Sequence, residues 1–341
     1  MKIVADRDIP FLQGGLEPFA EVVYLSGDRI KPSDVVDADA LLIRTRTRCD
    51  EALLAGSRVK FIGTATIGFD HIDTAYCGRQ GIAVVTAKGS NKRGVLQWVS
   101  AALAWLAAER GKTPEKTTLG IIGVGNIGSL VAEYATEWGY RVMCSDPPRE
   151  RAEKLTPQDG FFPLHNILSH SDIITIHTPL ITIGADATRN MVDSQFLGTT
   201  KPDAVIVNSS RGAVVEPSAL RNAIGQRGFV IDTWNNEPDI DRAVLQAALL
   251  ATPHIAGYSE QGKAMATAMI VNGLAHHFGL PLSGWYPEGV ARSEARPIMW
   301  NEMCSTIPQY FDIAAQSRLL KARPEDFETF RNNYTYRTEY F

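Results

Sequence analysis

Residues 119–128 read Leu-Gly-Ile-Ile-Gly-Val-Gly-Asn-Ile-Gly, an apolar run that leads into three glycines spaced as GxGxxG. A run compatible with a helix follows from Ser129 to Trp138, and Gly139 can end it. A second apolar run ends at Asp146, 18 residues past Gly128. A strand, a glycine turn, a helix, a second strand and an acidic residue at this spacing predict a dinucleotide-binding Rossmann unit.

The residues of this unit indicate which dinucleotide it binds. Glycines let the backbone approach a pyrophosphate, whose charge is stabilised by the free N–H groups at the start of the helix. Asp146 can accept hydrogen bonds from ribose hydroxyls and would repel a 2′-phosphate, so NAD is favoured over NADP, although Arg149 nearby weakens that preference. We expect the cofactor to contact Gly123, Gly125, Asn126, Ile127, Gly128 and Asp146.

Outward from this motif, short β-branched runs alternate with helix-like stretches in two series. Alternation of this kind predicts an α/β protein with two doubly wound parallel sheets, each covered on both faces. The almost wholly apolar segment 95–108 lies between the series and predicts a buried helix. The predicted strands are 2–5, 21–25, 40–44, 60–64 and 83–86 in the first series, and 119–124, 141–144, 172–177, 204–208, 229–232 and 252–255 in the second.

Composition excludes several classes of function. The 341 residues carry a net charge of −4, which does not suit a general nucleic-acid binder. No apolar run reaches the ~18 residues needed to cross a bilayer, so we expect no membrane partner. The four cysteines show no zinc or disulfide spacing. These features, and the charged residues 6–8 where a signal peptide would be apolar, predict a metal-free cytoplasmic protein.

Three reactive side chains follow successive strands of the second series. Arg211 follows the fourth strand, Glu237 follows the fifth, and His254 lies in the sixth, at the sheet edge where open α/β sheets bind ligands. An imidazole can take the proton of a hydroxyl group near neutral pH, and a neighbouring carboxylate favours its charged form. A guanidinium matches the planar geometry of a substrate carboxylate. Together they predict the oxidation of a 2-hydroxyacid.

The glycine motif with Asp146 and the set Arg211, Glu237 and His254 resemble the D-2-hydroxyacid dehydrogenases. Further segments are similar to the branch of that family that oxidises 4-phospho-D-erythronate on the route to pyridoxal 5′-phosphate (vitamin B6). Those segments are 63–71 (Gly-Thr-Ala-Thr-Ile-Gly-Phe-Asp-His), 145–148 (Ser-Asp-Pro-Pro), 210–215 (Ser-Arg-Gly-Ala-Val-Val), 253–263, which begins Pro-His-Ile-Ala-Gly-Tyr, and 327–336.

The resemblance implies a domain organisation and a set of roles. The Rossmann domain, 91–255, is inserted into a flavodoxin-like substrate domain, 1–90 and 256–285, and residues 286–341 form a dimerisation region of a homodimer. His254 is then the acid/base, Glu237 its partner and Arg211 the carboxylate clamp. Thr45, Thr66 and Tyr258 match substrate-contacting positions, whereas Thr175, Asp232 and Gly257 match cofactor-contacting positions. Thr178 and Ser209, at the ends of the third and fourth strands of the second series, are further cofactor candidates.

Two features leave alternatives open. Arg44, Arg46 and Arg48 alternate with threonines and would share one face of an extended segment, so Arg44, Arg46 or the separate Arg93 could hold a substrate phosphate; a solvated basic edge fits equally well. Residues 285–341 hold 11 of the 29 aromatic residues, which favours an interface over packing on the same chain. Two other functions compete with the oxidation of 4-phospho-D-erythronate. The protein could oxidise another D-2-hydroxyacid, such as 3-phosphoglycerate, or it could be an NAD(H)-sensing binding protein, and the complete set of reactive residues argues against a sensor.

Overall fold

The computed structural model describes residues 1–341, which form eleven strands and fourteen α-helices. The strands are β1 (Lys2–Asp6), β2 (Glu21–Leu25), β3 (Ala40–Ile43), β4 (Phe61–Thr64), β5 (Ala83–Thr86), β6 (Thr118–Ile122), β7 (Arg141–Ser145), β8 (Ile173–Ile176), β9 (Val205–Asn208), β10 (Gly228–Ile231) and β11 (Leu250–Ala251).

The helices follow in the same numbering along the chain. They are α1 (Pro32–Val35), α2 (Glu51–Leu54), α3 (Thr74–Arg79), α4 (Lys92–Arg110), α5 (Asn126–Glu137), α6 (Pro147–Glu153), α7 (Leu164–His170), α8 (Ser194–Thr199), α9 (Pro217–Ala223), α10 (Arg242–Ala247), α11 (Glu260–Phe278), α12 (Trp300–Tyr310), α13 (Ile313–Ala322) and α14 (Phe327–Asn332). No helix is both long and apolar enough to cross a membrane.

The chain divides into two units. Unit 1 comprises Met1–Asn91 and Ser259–Ser293, and unit 2 comprises Lys92–Tyr258 and Glu294–Phe341. The chain passes from one unit to the other at 91/92, 258/259 and 293/294; the expected domain boundaries are 90/91, 255/256 and 285/286. Residues 286–293 belong to unit 1 and residues 294–341 to unit 2, and a separate dimerisation region at 286–341 stays a prediction.

Unit 1 is built on a five-stranded parallel sheet in the order β2-β1-β3-β4-β5. This is the flavodoxin-like order, with the direction of winding reversing between β1 and β3. The central strands β3 and β4 are buried along their whole length. Helix α11 packs against β4 and β5, so the last part of unit 1 in sequence completes the sheet begun by the first.

Unit 2 contains a six-stranded parallel sheet in the order β11-β10-β9-β8-β6-β7. Phe161 forms an isolated parallel bridge with Cys144 of β7, at the outer position that the third strand occupies in a Rossmann sheet. β6, β8 and β9 are buried throughout. The two doubly wound parallel sheets are the α/β architecture that the alternating pattern predicts.

The expected strand at 252–255 is wrong, since β11 ends at Ala251. Pro253 has no N–H to give to a ladder, and His254 has a φ of +58°. The N–H groups of Ile255 and Ala256 donate instead to the carboxylate of Asp232. Residues 252–256 therefore form a loop that is held in two ways. The N–H groups of Thr252 and His254 donate to the backbone carbonyl oxygens of Ile231 and Asp232, and those of Ile255 and Ala256 donate to the Asp232 side chain.

The helix predicted over 95–108 extends from Lys92 to Arg110. It packs against α5, α12 and α13 of the same unit. Trp98 is fully buried, and its Nε1 donates to Thr252 Oγ1 at 3.0 Å. The apolar character of this helix is thus satisfied largely by its own unit.

The aromatic C-terminal segment packs on its own chain. Phe341 is fully buried, with its ring centroid 5.4 Å from that of Tyr134 and 6.3 Å from that of Trp138. Phe327 is 1% exposed in the core that contains β8, β9 and β10. For these two rings the expectation of burial at an interface is wrong, because they are already buried within unit 2.

Phe341→Ala should lower the free energy of unfolding by about 3–5 kcal/mol, the range for removing a buried aromatic ring. Chemical denaturation followed by circular dichroism measures this change. Phe69→Ala is the control, because Phe69 is 49% exposed and its loss should cost well under 1 kcal/mol. Equal effects of the two substitutions would contradict the packing described for the C-terminal segment.

Candidate active site

The predicted glycine turn lies between β6 and α5, and two of its glycines are required by close contacts. Gly123 has a φ of +84°, and a Cβ on it would lie 2.8 Å from the carbonyl carbon of His177. A Cβ on Gly128 would lie 2.0 Å from the carbonyl oxygen of Gly123. Helix α5 begins at Asn126, so the free N–H groups of its first turn adjoin this glycine-lined backbone and can bind an anion.

Asp146 is held beside the glycine turn. It follows β7, and its Oδ2 accepts a hydrogen bond of 2.8 Å from the N–H of Val124. Its Oδ1 caps α6 by accepting from the N–H of Arg149 at 3.1 Å. The structure therefore brings together Asp146 and the other five predicted residues of the dinucleotide motif, Gly123, Gly125, Asn126, Ile127 and Gly128.

The positive charge of Arg149 is engaged by neighbours. Its Nε and Nη2 donate to the two carboxylate oxygens of Glu153 at 2.7 and 3.0 Å. Its Nη1 donates to the carbonyl oxygen of Val124 at 2.8 Å and to Ser129 Oγ at 3.2 Å. These contacts leave Arg149 less available to bind a cofactor 2′-phosphate than its position in the sequence suggests, which favours NAD over NADP.

Three buried hydroxyl groups at the ends of β8, β9 and β10 have no hydrogen-bond partner in the protein. They are Thr178 Oγ1, Ser209 Oγ and Thr233 Oγ1. Thr178 borders the glycine turn, since its Cγ2 lies 2.9 Å from where a Cβ of Gly123 would be. Buried hydroxyls normally have partners, so these residues fit a site completed by a polar cofactor. Thr233 was not predicted, although its position directly after Asp232 at a strand end is the signal that could have identified it.

Thr175 and His177 belong to the same edge but already have partners. Thr175 lies within β8, is 1% exposed, and its Oγ1 is 3.0 Å from His177 Nε2. Burial lowers the pKa of His177 to about 3. The imidazole is therefore neutral at physiological pH, and it is hydrogen-bonded to Thr175.

The structure brings together Glu237 and His254, the predicted acid–base pair. His254 Nδ1 lies 2.8 Å from Glu237 Oε2 and 3.1 Å from Oε1. The N–H of Trp234 donates to Glu237 Oε1 at 2.8 Å. Burial acts to raise the pKa of Glu237, but the hydrogen bond and charge of His254, together with the Trp234 N–H and the charge of Arg331, lower it overall. Glu237 therefore stays ionised and orients the imidazole.

Asp232 holds the loop that carries His254. Its buried carboxylate accepts hydrogen bonds from the N–H groups of Ile255 at 2.8 Å and Ala256 at 3.0 Å, and from Thr252 Oγ1 at 2.6 Å. Burial raises the pKa of Asp232. The resemblance implies a cofactor contact for this residue, whereas the contacts within the chain are those of a loop anchor.

Arg211 follows β9 on the loop next to that of Glu237. Asn208 Nδ2 donates to the carbonyl oxygen of Arg211 at 3.1 Å, and Arg211 Nη1 donates to that of Ser210 at 2.9 Å. A Cβ on Gly212 would lie 2.0 Å from the carbonyl oxygen of Trp234, so the two loops are in close contact. The loops that carry Arg211, Glu237 and His254 therefore adjoin one another at one edge of the sheet.

Tyr258 lies just beyond Gly257 and contacts the C-terminal segment. Its hydroxyl oxygen accepts from Arg331 Nε at 3.3 Å, and its ring meets those of Tyr334 and Tyr336 edge-on. Arg331 Nη1 also lies 3.4 Å from Glu237 Oε2. Sequence reasoning missed Arg331, because no spacing relates residue 331 to strand ends about 75–95 residues before it.

The proposed substrate residues of unit 1 lie after β3 and β4. Thr66 Oγ1 is 2.6 Å from Thr64 Oγ1 and donates to the carbonyl oxygen of Gly68 at 3.0 Å. Thr45 is exposed. The segment is not extended as expected, because residues 45 and 46 form a turn that buries the side chain of Thr47, whose hydroxyl donates to the carbonyl oxygen of Gly27.

The basic residues considered for a phosphate have different surroundings. Arg44 Nη1 donates to the carbonyl oxygen of Asp8 at 3.0 Å, and the charges of Arg44 and Arg46 both act on the buried Asp6. Arg48 is paired with Asp50 at 2.8 Å. Arg93 lies in the first turn of α4, and its Nη1 is buried without a hydrogen-bond partner. Arg44, Arg46 and Arg93 thus remain the phosphate candidates.

The chain is similar to known proteins in both sequence and fold. Residues 92–256 match the family model "D-isomer specific 2-hydroxyacid dehydrogenase, NAD binding domain". An erythronate-4-phosphate dehydrogenase of Bacteroides fragilis is 43% identical, with 99% of this chain and 97% of the relative covered. That of Bacteroides thetaiotaomicron is 42% identical over the same shares. The crystal structure of the Aquifex aeolicus D-lactate dehydrogenase with NAD and lactic acid is similar in fold, with a TM-score of 0.64, 23% identity and coverage of 85% of this chain and 100% of that one.

The neutral His177 makes stability depend on pH. Its pKa is about 3 in the folded protein and about 6.5 when unfolded. The unfolded chain therefore binds the proton first as the pH falls, and stability present above about pH 6.5 is lost progressively below it. His177→Gln, which can keep the bond to Thr175, should remove about 1–2 kcal/mol of the loss of unfolding free energy between about pH 7.5 and 5.

Denaturation at several pH values measures this difference. His165→Gln is the matched control, because His165 is exposed on α7 and should follow the unmodified protein. Parallel stability curves for His177→Gln and the unmodified protein would show that the imidazole is not kept neutral by burial.

Proposed function

The chain belongs to the erythronate-4-phosphate dehydrogenases of the D-2-hydroxyacid dehydrogenase family, and from this we propose that it oxidises 4-phospho-D-erythronate to 2-oxo-3-hydroxy-4-phosphobutanoate with NAD. The reaction would serve the synthesis of pyridoxal 5′-phosphate. The observation that carries the proposal is the pair of Glu237 and His254, 2.8 Å apart, at the edge of the NAD-binding sheet. A sensor of NAD(H) would not need such a pair.

The chemistry follows from the residues present. NAD, when bound in the glycine turn, would supply the acceptor for the hydride that leaves C2 of the substrate. With Nδ1 directed at Glu237, His254 has Nε2 left to receive the proton of the C2 hydroxyl. Glu237 fixes the orientation of the ring and stabilises the imidazolium that forms. The guanidinium of Arg211 binds the C1 carboxylate next to the reacting carbon.

The remaining site residues take supporting roles in the proposal. The dinucleotide is bound by the glycine turn, with Asp146 on the adenine ribose and the hydroxyls of Thr178, Ser209 and Thr233 as further donors and acceptors. Thr45, Thr66 and Tyr258 contact the substrate. Its phosphate is bound by one or two of Arg44, Arg46 and Arg93, among which Arg93 has a buried guanidinium nitrogen without a partner.

We also propose that the protein is a homodimer joined through its C-terminal region. Although Phe327 and Phe341 are buried within the chain, other apolar side chains there remain accessible. Met299 is 73% exposed, Tyr310 40% and Leu319 37%. Exposed aromatic and Met side chains are enriched at protein interfaces, which supports a contact through this region.

The substrate proposal is tested by comparing kcat/KM for 4-phospho-D-erythronate and 3-phosphoglycerate with NAD. We expect 4-phospho-D-erythronate to be clearly preferred.

His254→Ala should lower kcat by roughly 10²–10⁴, the usual effect of losing a positioned acid/base, while NADH still binds in a fluorescence titration. His276→Ala is the control, since His276 is exposed on α11. Retained turnover in His254→Ala, or a preference for 3-phosphoglycerate, would refute the assignment.

Phosphate binding is tested separately with Arg44→Glu. Reversing this charge should raise KM for 4-phospho-D-erythronate at least ~10-fold, equivalent to about 1.4 kcal/mol, and change KM for unphosphorylated D-erythronate much less. Arg48→Glu is the control on the same segment, because Arg48 is already paired with Asp50. Arg46→Glu and Arg93→Met test the other two candidates. If all three variants affect the two substrates equally, none of these arginines binds the phosphate.

A further inference from the structure

The C-terminal helix α14 supplies a cation to the acid–base pair. Arg331 is the fifth residue of this helix, and its Nη1 lies 3.4 Å from Glu237 Oε2. Its Nε donates to the hydroxyl oxygen of Tyr258 at 3.3 Å. The mechanism above requires no such group. Arg331, Glu237 and Tyr258 all belong to unit 2, so the contact forms within one chain.

The segment that carries Arg331 is held against the loop of His254 by a second arginine. Arg337 is 5% exposed, and its Nη1 donates to the carbonyl oxygens of Ile255 at 3.0 Å and Tyr258 at 3.2 Å. Its Nη2 donates to the carbonyl oxygens of Gly94, at 2.7 Å, and Ala256. The position of Arg331 is therefore fixed by the same segment that contacts the loop.

The charges around the imidazole oppose one another. A positive charge on His254 acts to lower the pKa of both the Glu237 carboxyl and the buried Asp232 carboxyl. Arg331 is the cation that contacts Glu237, and it donates to the Tyr258 hydroxyl. Two further cations lie nearby: Arg337, which donates to carbonyl oxygens of the His254 loop, and Arg211 on the adjoining loop. Burial acts to lower the pKa of Arg331, but Tyr258 and Glu237 beside it raise it overall, so the guanidinium is permanently charged.

We propose that Arg331 is a positioning residue: it holds the Glu237 carboxylate in place and, as a fixed cation, opposes protonation of His254. The imidazole is then available as a base at lower pH than the two neighbouring carboxylates alone would allow. This proposal depends on the proposed function in one respect: the turnover measurements use 4-phospho-D-erythronate as substrate.

Removing the cation has a consequence that depends on pH. Oxidation needs the neutral imidazole, so the acidic limb of log kcat/KM should move upward when Arg331 is neutralised. For a half-buried pair of charges separated by one carboxylate, a shift of about one pH unit is expected. Arg331→Met should therefore lose about 10-fold in kcat/KM at about pH 6 and little at about pH 9.

Three variants separate this role from a structural one. Arg331→Lys keeps the charge and should keep the position of the acidic limb, even if the loss of the contact with Tyr258 raises KM. Arg318→Met, the same change at an exposed position of α13, should behave like the unmodified protein. NADH affinity and thermal unfolding show that each variant is folded. A loss in Arg331→Met that is equal at every pH, or no loss at all, would overturn the proposal.

A second measurement needs no substrate. The ring signals of His254 in the full-length protein, identified by their absence in His254→Gln, can be titrated by NMR with NADH present. The midpoint should rise by about one pH unit in Arg331→Met and stay in place in Arg331→Lys. If 4-phospho-D-erythronate is not oxidised but the midpoint shifts, the substrate assignment fails and the positioning role stands. An unchanged midpoint overturns the positioning role, whatever the substrate.

Discussion

The buried carboxylate of Asp232 is the constraint on which the catalytic edge depends. A carboxyl group without water is unfavourable unless hydrogen bonds replace its hydration, and here they come from Thr252, Ile255 and Ala256. The carboxyl group of Asp232 thereby fixes the end of the loop 252–256, in which His254 has a positive φ. Trp98 of α4 reaches the same group through Thr252. The core of unit 2 and the orientation of the imidazole are thus joined by one hydrogen-bonded chain.

The cofactor side of the sheet follows another physical requirement, the need for backbone to approach a ligand without side chains in the way. The contacts at Gly123 and Gly128 leave no room for a Cβ, and Asp146 is fastened to the same turn by the N–H of Val124. The unpartnered hydroxyls of Thr178, Ser209 and Thr233 lie at successive strand ends. In the proposed site, the glycine turn binds the dinucleotide through its backbone, and the polar side chains at the strand ends orient it.

Sequence reasoning reached the features that parallel-sheet topology determines. Strand ends in a doubly wound sheet share one edge, so Glu237 and His254 could be paired from their order alone, and the glycine motif identified Asp146. It failed where tertiary hydrogen bonds override local pattern. The run at 252–255 has β-branched and apolar residues, yet it contains Pro253, and the side chain of Asp232 accepts the N–H of Ile255. The alternating arginines at 44–48 are interrupted by a turn. The role of Arg331 could not be predicted, because a contact between distant segments leaves no periodic signal.

The pairing of Arg149 with Glu153 has a consequence for redesign of cofactor choice. Exchanging Asp146 for a small neutral residue would remove the repulsion of a 2′-phosphate, but the nearest guanidinium would stay committed to its carboxylate partner one helical turn away. A change of specificity from NAD to NADP therefore requires replacement of Glu153 as well as Asp146, so that Arg149 can turn toward the added 2′-phosphate. The contact between Arg149 and Glu153 thus bears on cofactor redesign, although both residues lie outside the glycine motif in sequence.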